Sequence, residues 1–97
     1  MGLFNMMDSI GKCNELLPGA EREMKLILVA IRSKDVVAVA LHGEMLALIT
    51  QKLLAAMDKS SGARSASYNF AGKSMTGEQI MYFLCGFLAE LQSALKS

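Results

Sequence analysis

The residues that come nearest to a chemical motif are Ser67 to Ser74, which read SYNFAGKS. A phosphate-binding P-loop has the pattern G-x-x-x-x-G-K-[ST], in which backbone N–H groups at a helix start surround the phosphates. Gly72, Lys73 and Ser74 fit the second half of this pattern, but Ser67 stands where the first glycine belongs. The helical pattern that follows begins only after Thr76, and no further strands are predicted for a nucleotide-binding sheet. The sequence therefore predicts a basic turn rather than a nucleotide site.

The only histidine, His42, is the other candidate for chemistry. Glu44 lies nearby, but no second histidine and no cysteine stand at the spacing that a metal site needs. We interpret His42 as a partly buried structural imidazole. The serines of residues 60–67 are typical of a loop and have no base beside them in the pattern. We predict a chain that is not an enzyme, with no catalytic, cofactor-binding or metal-binding residues and no cofactor.

The composition is unusually apolar for so short a chain. Of 97 residues, 53% are hydrophobic, and the mean hydropathy is +0.34. A domain of this size has little interior in which to bury them. We therefore expect a homo-oligomer or a stable partner, the alternative being a monomer with apolar side chains scattered over its surface. A net charge of +1 does not indicate a free-standing nucleic-acid binder, which carries a strong basic excess.

The C-terminal segment carries the clearest helical signal. Thr76 followed three residues later by Gln79 is a capping box. No charged residue stands between Ile80 and Ala89, so this helix, predicted over residues 76–96, needs cover on more than one side and is expected to be central. Its apolar residues recur at helical spacing: Ile80, Phe83, Leu84, Phe87, Leu88, Leu91 and Leu95.

Three further helices are predicted over residues 3–17, 20–32 and 35–58. Pro18 and Gly19 are expected to end the first of them. Ser33 or Asp35 is the N-cap candidate for the third, although the apolar pattern also allows one helix of over 35 residues through this point. A strand over residues 36–41 is an alternative suggested by the valines there, but the length and later spacing favour a helix.

A short β-hairpin or ordered loop is predicted at about residues 65–75. Ala66, Tyr68 and Phe70 alternate with polar residues, which is a strand pattern, and Ala71 with Gly72 is a turn signal. The predicted fold is therefore mainly α: a single helical domain over residues 1–97, formed as a small bundle of three to four helices, with this hairpin before the C-terminal helix.

The sulfur-containing residues are predicted to fill the core. Cys13 and Cys85 both stand in apolar helical patterns and are interpreted as reduced, buried side chains. The eight methionines are interpreted mainly as core residues. The alternative for them is an adaptable surface that accepts a partner helix.

Neither a secretion signal nor a transmembrane segment is predicted. The first 17 residues contain Asp8 and Glu15, and uninterrupted apolar runs reach about ten residues, short of the length that spans a bilayer. We expect a soluble chain that does not enter a membrane.

Three cations mark the loop region. Lys59, Arg64 and Lys73 have no acidic residue between Lys59 and Gly77. They are interpreted either as a solvated loop or as a positive tip that faces phosphates, DNA or an acidic partner.

The order of elements over residues 45–95 resembles a known family. A helix to about residue 58 is followed by a polar turn, the aromatic strand Ser67–Phe70, then Gly72-Lys73-Ser74-Met75-Thr76 and a leucine-rich final helix. This resembles the small head-completion, or head–tail joining, proteins of tailed bacteriophages. The resemblance implies a ring of identical subunits beneath the portal, in the virion or host cytoplasm. It implies that the hairpin or loop makes subunit contacts and that the basic residues face the DNA channel or the portal. Portal or tail proteins are the partners it implies.

The function expected from the sequence is that of a non-enzymatic structural or assembly protein acting as a homo-oligomer, most concretely a phage head–tail connector component. The alternative is a small helical binding module, a chaperone or inhibitor, that binds a partner protein through an apolar Met-rich groove. A helical protein at a membrane surface is a third class. The predicted interface residues are Ile80, Phe83, Leu84, Phe87, Leu88, Leu91, Tyr68 and Phe70.

Overall fold

The computed structural model describes residues 2–96. The predicted fold class is confirmed, because helices dominate and a two-stranded antiparallel hairpin precedes the last helix. The elements in chain order are α1 Leu3–Arg32, α2 Val36–Asp58, α3 Ser61–Ser65, β1 Ser67–Phe70, β2 Lys73–Thr76 and α4 Gly77–Lys96.

The first helix corrects the predicted break at Pro18 and Gly19, because α1 continues through both residues. A proline inside a helix lacks one N–H donor and crowds the carbonyl four residues earlier, which costs about 3 kcal/mol. Burial on either side outweighs this, since Leu17 and Ala20 are 2% and 0% exposed while Pro18 itself is exposed. Tertiary packing therefore overrides the local signal.

Replacing this proline should stabilise the fold. Pro18→Ala restores an N–H donor inside α1 and removes the ring, so we expect the free energy of unfolding to rise by about 1–2 kcal/mol. Urea denaturation followed by circular dichroism measures the change. Gly11→Ala is the matched control, because its Cβ would meet no atom within 4 Å. It should add about 0.5–1 kcal/mol through helix propensity alone. A loss of stability in Pro18→Ala would contradict a continuous α1.

The predicted break between the second and third helical segments is confirmed. The carboxylate of Asp35 accepts a hydrogen bond from the backbone N–H of Ala38 at 3.1 Å, so Asp35 is the N-cap of α2. Lys34 has a positive φ of 58°, which turns the chain sharply between the helices. The Ser33 hydroxyl donates to the carbonyl of Val29 at 3.0 Å and helps to close the end of α1.

The hairpin lies between α3 and α4 in the chain, and its turn contacts α1. Its register pairs Ser67 with Thr76 and Phe70 with Lys73. Ala71 and Gly72 have φ values of 54° and 78°, the positive pair that a type I′ turn requires. The backbone N–H of Ala71 donates to the Glu21 carboxylate at 2.8 Å, which ties the turn to α1.

The start of α4 follows its sequence signal. The Thr76 hydroxyl accepts from the N–H of Gln79 at 3.1 Å, and the Gln79 side-chain oxygen accepts from the N–H of Thr76 at 2.9 Å. The reciprocal pair is the predicted capping box. The N–H of Gly77 donates to the carbonyl of Ala66 at 3.1 Å and joins the start of α4 to the end of α3.

The central helix is α2, because it packs against both α1 and α4. The prediction that α4 is central is therefore wrong. The hairpin contacts α1 and α4 and closes the third side of the core. Within one chain α4 contacts α2, α3 and the hairpin, while Tyr82, Cys85 and Gly86 are exposed, so cover of this remaining side by a partner stays a prediction. The largest fully buried side chains include Phe70, Ile27, Leu46, Leu53, Ile80 and Leu84.

Within residues 2–96 one helix, α2, is long and apolar enough to cross a bilayer by length and composition. The prediction of no such segment rested on uninterrupted apolar runs, whereas the mean hydropathy of this helix over 18 residues is 1.4. It lies in the middle of the chain, and 28% of that window is buried inside the protein. Core helices of water-soluble proteins share this length and composition, so α2 alone is weak support for a membrane span.

Candidate interaction surfaces

Exposed apolar side chains are the most prominent surface feature of the chain. Within residues 2–96, sixteen large hydrophobic residues are exposed. Monomeric proteins rarely leave large apolar patches in contact with water. The sixteen exposed residues are Leu3, Phe4, Met7, Leu26, Leu28, Val29, Ile31, Val36, Val37, Leu41, Met45, Leu48, Leu54, Tyr82, Phe83 and Leu95.

One side of α2 carries part of this surface, which we call the α2 outer face: Val37, Leu41, Met45, Leu48 and Ala55. Leu41 and Leu48 are each 53% exposed, and Val37 is 79% exposed. Leu41, Leu48 and Ala55 are seven residues apart, so they lie along one side of the helix. No other element of the described chain covers this side.

The covered sides of α2 explain why the outer face is left open. His42 contacts Glu23 of α1, and Gly43 lies under Leu91 of α4, where an added Cβ would stand 3.0 Å from a leucine methyl group. Ile49 similarly approaches Gly19 of α1. Both neighbouring helices therefore pack on one half of α2, and the opposite half faces solvent.

A second apolar surface is a cleft of about 600 Å³ between the end of α2 and the first turns of α4, here the α2–α4 cleft. Its apolar lining includes Leu54, Met57 and Met81, and Tyr82 stands at its edge. Of the predicted core methionines, Met57 and Met81 are buried, whereas Met7 and Met45 are exposed. Polar groups at the same cleft are Asp58, Arg64 and Glu78.

The structure divides the predicted interface residues into two groups. Five of them are buried inside the single chain, so little of their surface is left for a partner while the fold is intact. Phe83 is 44% exposed, and Phe87 and Leu88 are half-buried, so an interface role for these three stays a prediction. The five buried residues are Ile80, Leu84, Leu91, Tyr68 and Phe70.

The three predicted phosphate-facing cations do not share one tip. Lys59 follows α2 and Arg64 lies in α3. Lys73 stands at the turn end of the hairpin, about 10 Å along the strands from the end where Ser67 pairs with Thr76. The Arg64 guanidinium donates to the Asp58 carboxylate at 2.6 Å, which offsets its charge. Both partners of this pair are largely exposed, so the pair adds little stability.

Among residues 2–96 the most buried charged residue is Glu23, which the sequence did not single out as a site residue. Its side chain is 5% exposed, and its carboxylate lies 2.7 Å from Nδ1 of His42. The interpretation of His42 as a partly buried structural imidazole is confirmed, since its side chain is 23% exposed and engaged with α1. No cluster of three or more potential metal-ligating His, Cys, Asp or Glu side chains occurs within residues 2–96.

The two cysteines have different surroundings. Cys13 is fully buried, and burial raises the pKa of its thiol, with a hydrogen bond to Tyr68 acting in the opposite direction. The Tyr68 hydroxyl donates to the carbonyl of Ala63 at 2.7 Å, and burial raises its pKa as well. Both groups are therefore protonated at neutral pH and poor nucleophiles. Cys85 is free and exposed, which corrects its predicted burial.

The glycine–lysine–serine sequence occupies the hairpin. Gly72 is in the turn, and Lys73 and Ser74 are in β2, ahead of the start of α4 at Gly77. Their backbone groups therefore do not form the start of a helix, as those of a P-loop do. The prediction of a basic turn at this point is confirmed.

No family model, curated protein or solved structure matches this chain. The class of protein therefore follows from the fold and the exposed surface: a small α-helical bundle with a β-hairpin, in which one helix presents an apolar side to solvent.

Proposed function

We propose that this chain is a non-enzymatic assembly protein that works as a homo-oligomer. The observation that supports the proposal is the α2 outer face, where Val37, Leu41 and Leu48 are more than half exposed on a helix whose other side is packed. Contact with another chain would remove these side chains from water, and each fully buried aliphatic side chain contributes about 1.5–3 kcal/mol. The favourable free energy of association would come from this burial.

The most concrete form of the proposal is a component of a phage head–tail connector, in the virion or host cytoplasm. It rests on the resemblance of residues 45–95 and on the hairpin, which is present before α4 with the aromatic strand Ser67–Phe70. In this form the chain would contact portal or tail proteins. Of the proposed contacts, the one with DNA through Lys59, Arg64 or Lys73 has the least support. Negative-stain images of the purified protein test it, with rings as the expected result.

Self-association itself is tested by light scattering after size-exclusion chromatography, over a range of protein concentrations. We expect a defined mass of at least two chains, because the apolar surface that remains exposed on one chain favours association. Dissociation on dilution, with a rising monomer fraction, would give the affinity. A single monomeric mass at millimolar concentration would overturn the proposed function.

The α2–α4 cleft favours a second candidate, a binding module that accepts an apolar segment of a partner protein. Its lining by Met57, Met81 and Leu54 has the adaptability that methionine gives to binding surfaces. The two candidates differ in the form of the protein when it is alone. A binding module is a monomer that becomes a one-to-one complex, whereas an assembly protein is an oligomer without any partner.

A further inference from the structure

The charges beside the α2 outer face specify how a second copy would fit. Glu44 and Lys52 are both exposed, and they lie one turn before and one turn after Leu48. Within residues 2–96 the ion pairs of the single chain are Glu23 with His42 and Asp58 with Arg64. Glu44 and Lys52 therefore both present a charge to solvent on this side of α2, and within residues 2–96 neither has an ion-pair partner.

We propose that α2 pairs with α2 of a second copy, antiparallel, about a two-fold axis at Leu48. This inference rests on the proposed homo-oligomer, not on its ring-shaped connector form, whose contacts would be head-to-tail, and it names the surface through which the homo-oligomer forms. A two-fold contact is self-complementary, so the same patch serves both copies. Any larger assembly requires a second contact, for which the exposed Tyr82 and Phe83 of α4 offer apolar surface.

The antiparallel arrangement follows from the spacing of residues on α2. About an axis at Leu48, a residue four positions before it faces the residue four positions after it in the other copy. Glu44 then faces Lys52 of the second copy, and the contact occurs twice. By the same rule Leu41 faces Ala55, so a large side chain meets a small one on each side of the central Leu48 pair.

A parallel pairing would be less favourable on the same surface. It would place Glu44 opposite Glu44 and Lys52 opposite Lys52, and like charges directly opposite each other are destabilising. It would also place two Ala55 side chains opposite each other and leave space between the helices. The charges and the side-chain sizes therefore select the same orientation.

The first experiment exchanges charges. Glu44→Lys leaves two lysines on each face and Lys52→Glu leaves two glutamates, so each variant should dimerise roughly tenfold more weakly than wild type in sedimentation velocity. An equimolar mixture of the two should recover the wild-type affinity as a heterodimer, because each lysine then faces a glutamate. The double variant Glu44→Lys with Lys52→Glu should recover it as a homodimer. Unchanged self-association in both single variants, or no recovery in the mixture, would overturn the antiparallel pairing.

The second experiment acts on the axis itself. Leu48→Asp puts two carboxylates opposite each other and should weaken dimerisation by at least a hundredfold, while the helical circular dichroism remains, because Leu48 is 53% exposed in the single chain. Leu28→Asp is the matched control. Leu28 is 46% exposed on α1, beside the hairpin turn, and its change should leave the affinity as in wild type.

The outcomes separate this inference from the proposed function. A wild-type protein that associates, and a Leu48→Asp variant that associates equally well, would overturn the α2 contact and leave self-association through another surface. A monomeric wild type would overturn both. If that monomer also co-sedimented with phosphatidylcholine vesicles and Leu48→Asp abolished the binding, the α2 outer face would be a lipid contact.

Discussion

Replacing His42 with alanine is expected to lower the free energy of unfolding by about 3 kcal/mol. The Glu23 carboxylate is 2.7 Å from Nδ1 of His42, and the Glu23 side chain is 5% exposed. Without the imidazole, this carboxyl group keeps its place between α1 and α2 but loses the hydrogen-bond partner that offsets its removal from water. Urea denaturation of the variant and the wild type at neutral pH, under identical protein concentration, measures the difference.

Two further variants separate the loss of a partner from the loss of packing. Glu23→Gln keeps the size of the side chain and removes its charge, so Glu23→Gln with His42→Ala should be more stable than His42→Ala alone. Glu23→Leu combined with His42→Leu replaces the pair by apolar groups and should lose less than His42→Ala, because no charge is then buried. A loss below about 1 kcal/mol for His42→Ala would mean that water reaches the carboxylate.

Local signals in the sequence predicted the elements whose contacts are local. The capping box at Thr76 and Gln79, the N-cap at Asp35 and the hairpin with its turn at Ala71 and Gly72 are all present in the structure. Each of them depends on hydrogen bonds or dihedral angles within a few residues. Such features follow from residue type and spacing, largely independently of the rest of the chain.

The errors arose where distant contacts decide the outcome. Pro18 does not end α1, because α1 packs along α2. Ser61–Ser65 forms a short helix because Ala63 is buried where α3 packs against α1, α2 and α4. The partner of His42 is 19 residues away on another helix, so a search for ligands at close spacing could not find Glu23. The signal for this contact in the sequence was Glu23 itself, a single acidic residue on the apolar side of α1.

Hydrophobic pattern also cannot distinguish burial within the chain from exposure to a partner. Ile80 and Leu84 of α4 and Leu41 and Leu48 of α2 have similar residue types at similar spacing. The first two are fully buried in their own chain, and the last two are more than half exposed. The sequence therefore indicated an excess of apolar surface but assigned it to α4, whereas the open surface on α2 depends on where α1 and α4 pack.

Gly77→Ala is expected to lower the free energy of unfolding by about 2–3 kcal/mol. A Cβ at this position would stand 2.8 Å from the carbonyl oxygen of Ala63 and 3.0 Å from that of Arg64. These are backbone atoms of α3, so they cannot move aside as the end of a flexible side chain can. To make room, α3 or the start of α4 must shift, and the hydrogen bond from Gly77 to Ala66 would be strained with it.

The same helix offers a control for this effect. Gly86 is exposed, and a Cβ there would meet no atom within 4 Å, so Gly86→Ala should raise the free energy of unfolding by about 0.5–1 kcal/mol through helix propensity. Two identical substitutions nine residues apart in α4 should thus have opposite signs in thermal denaturation. The packing of α3 against the start of α4 leaves no space for an added methyl group at Gly77. If Gly77→Ala were as stable as Gly86→Ala, α3 would therefore not pack there as described.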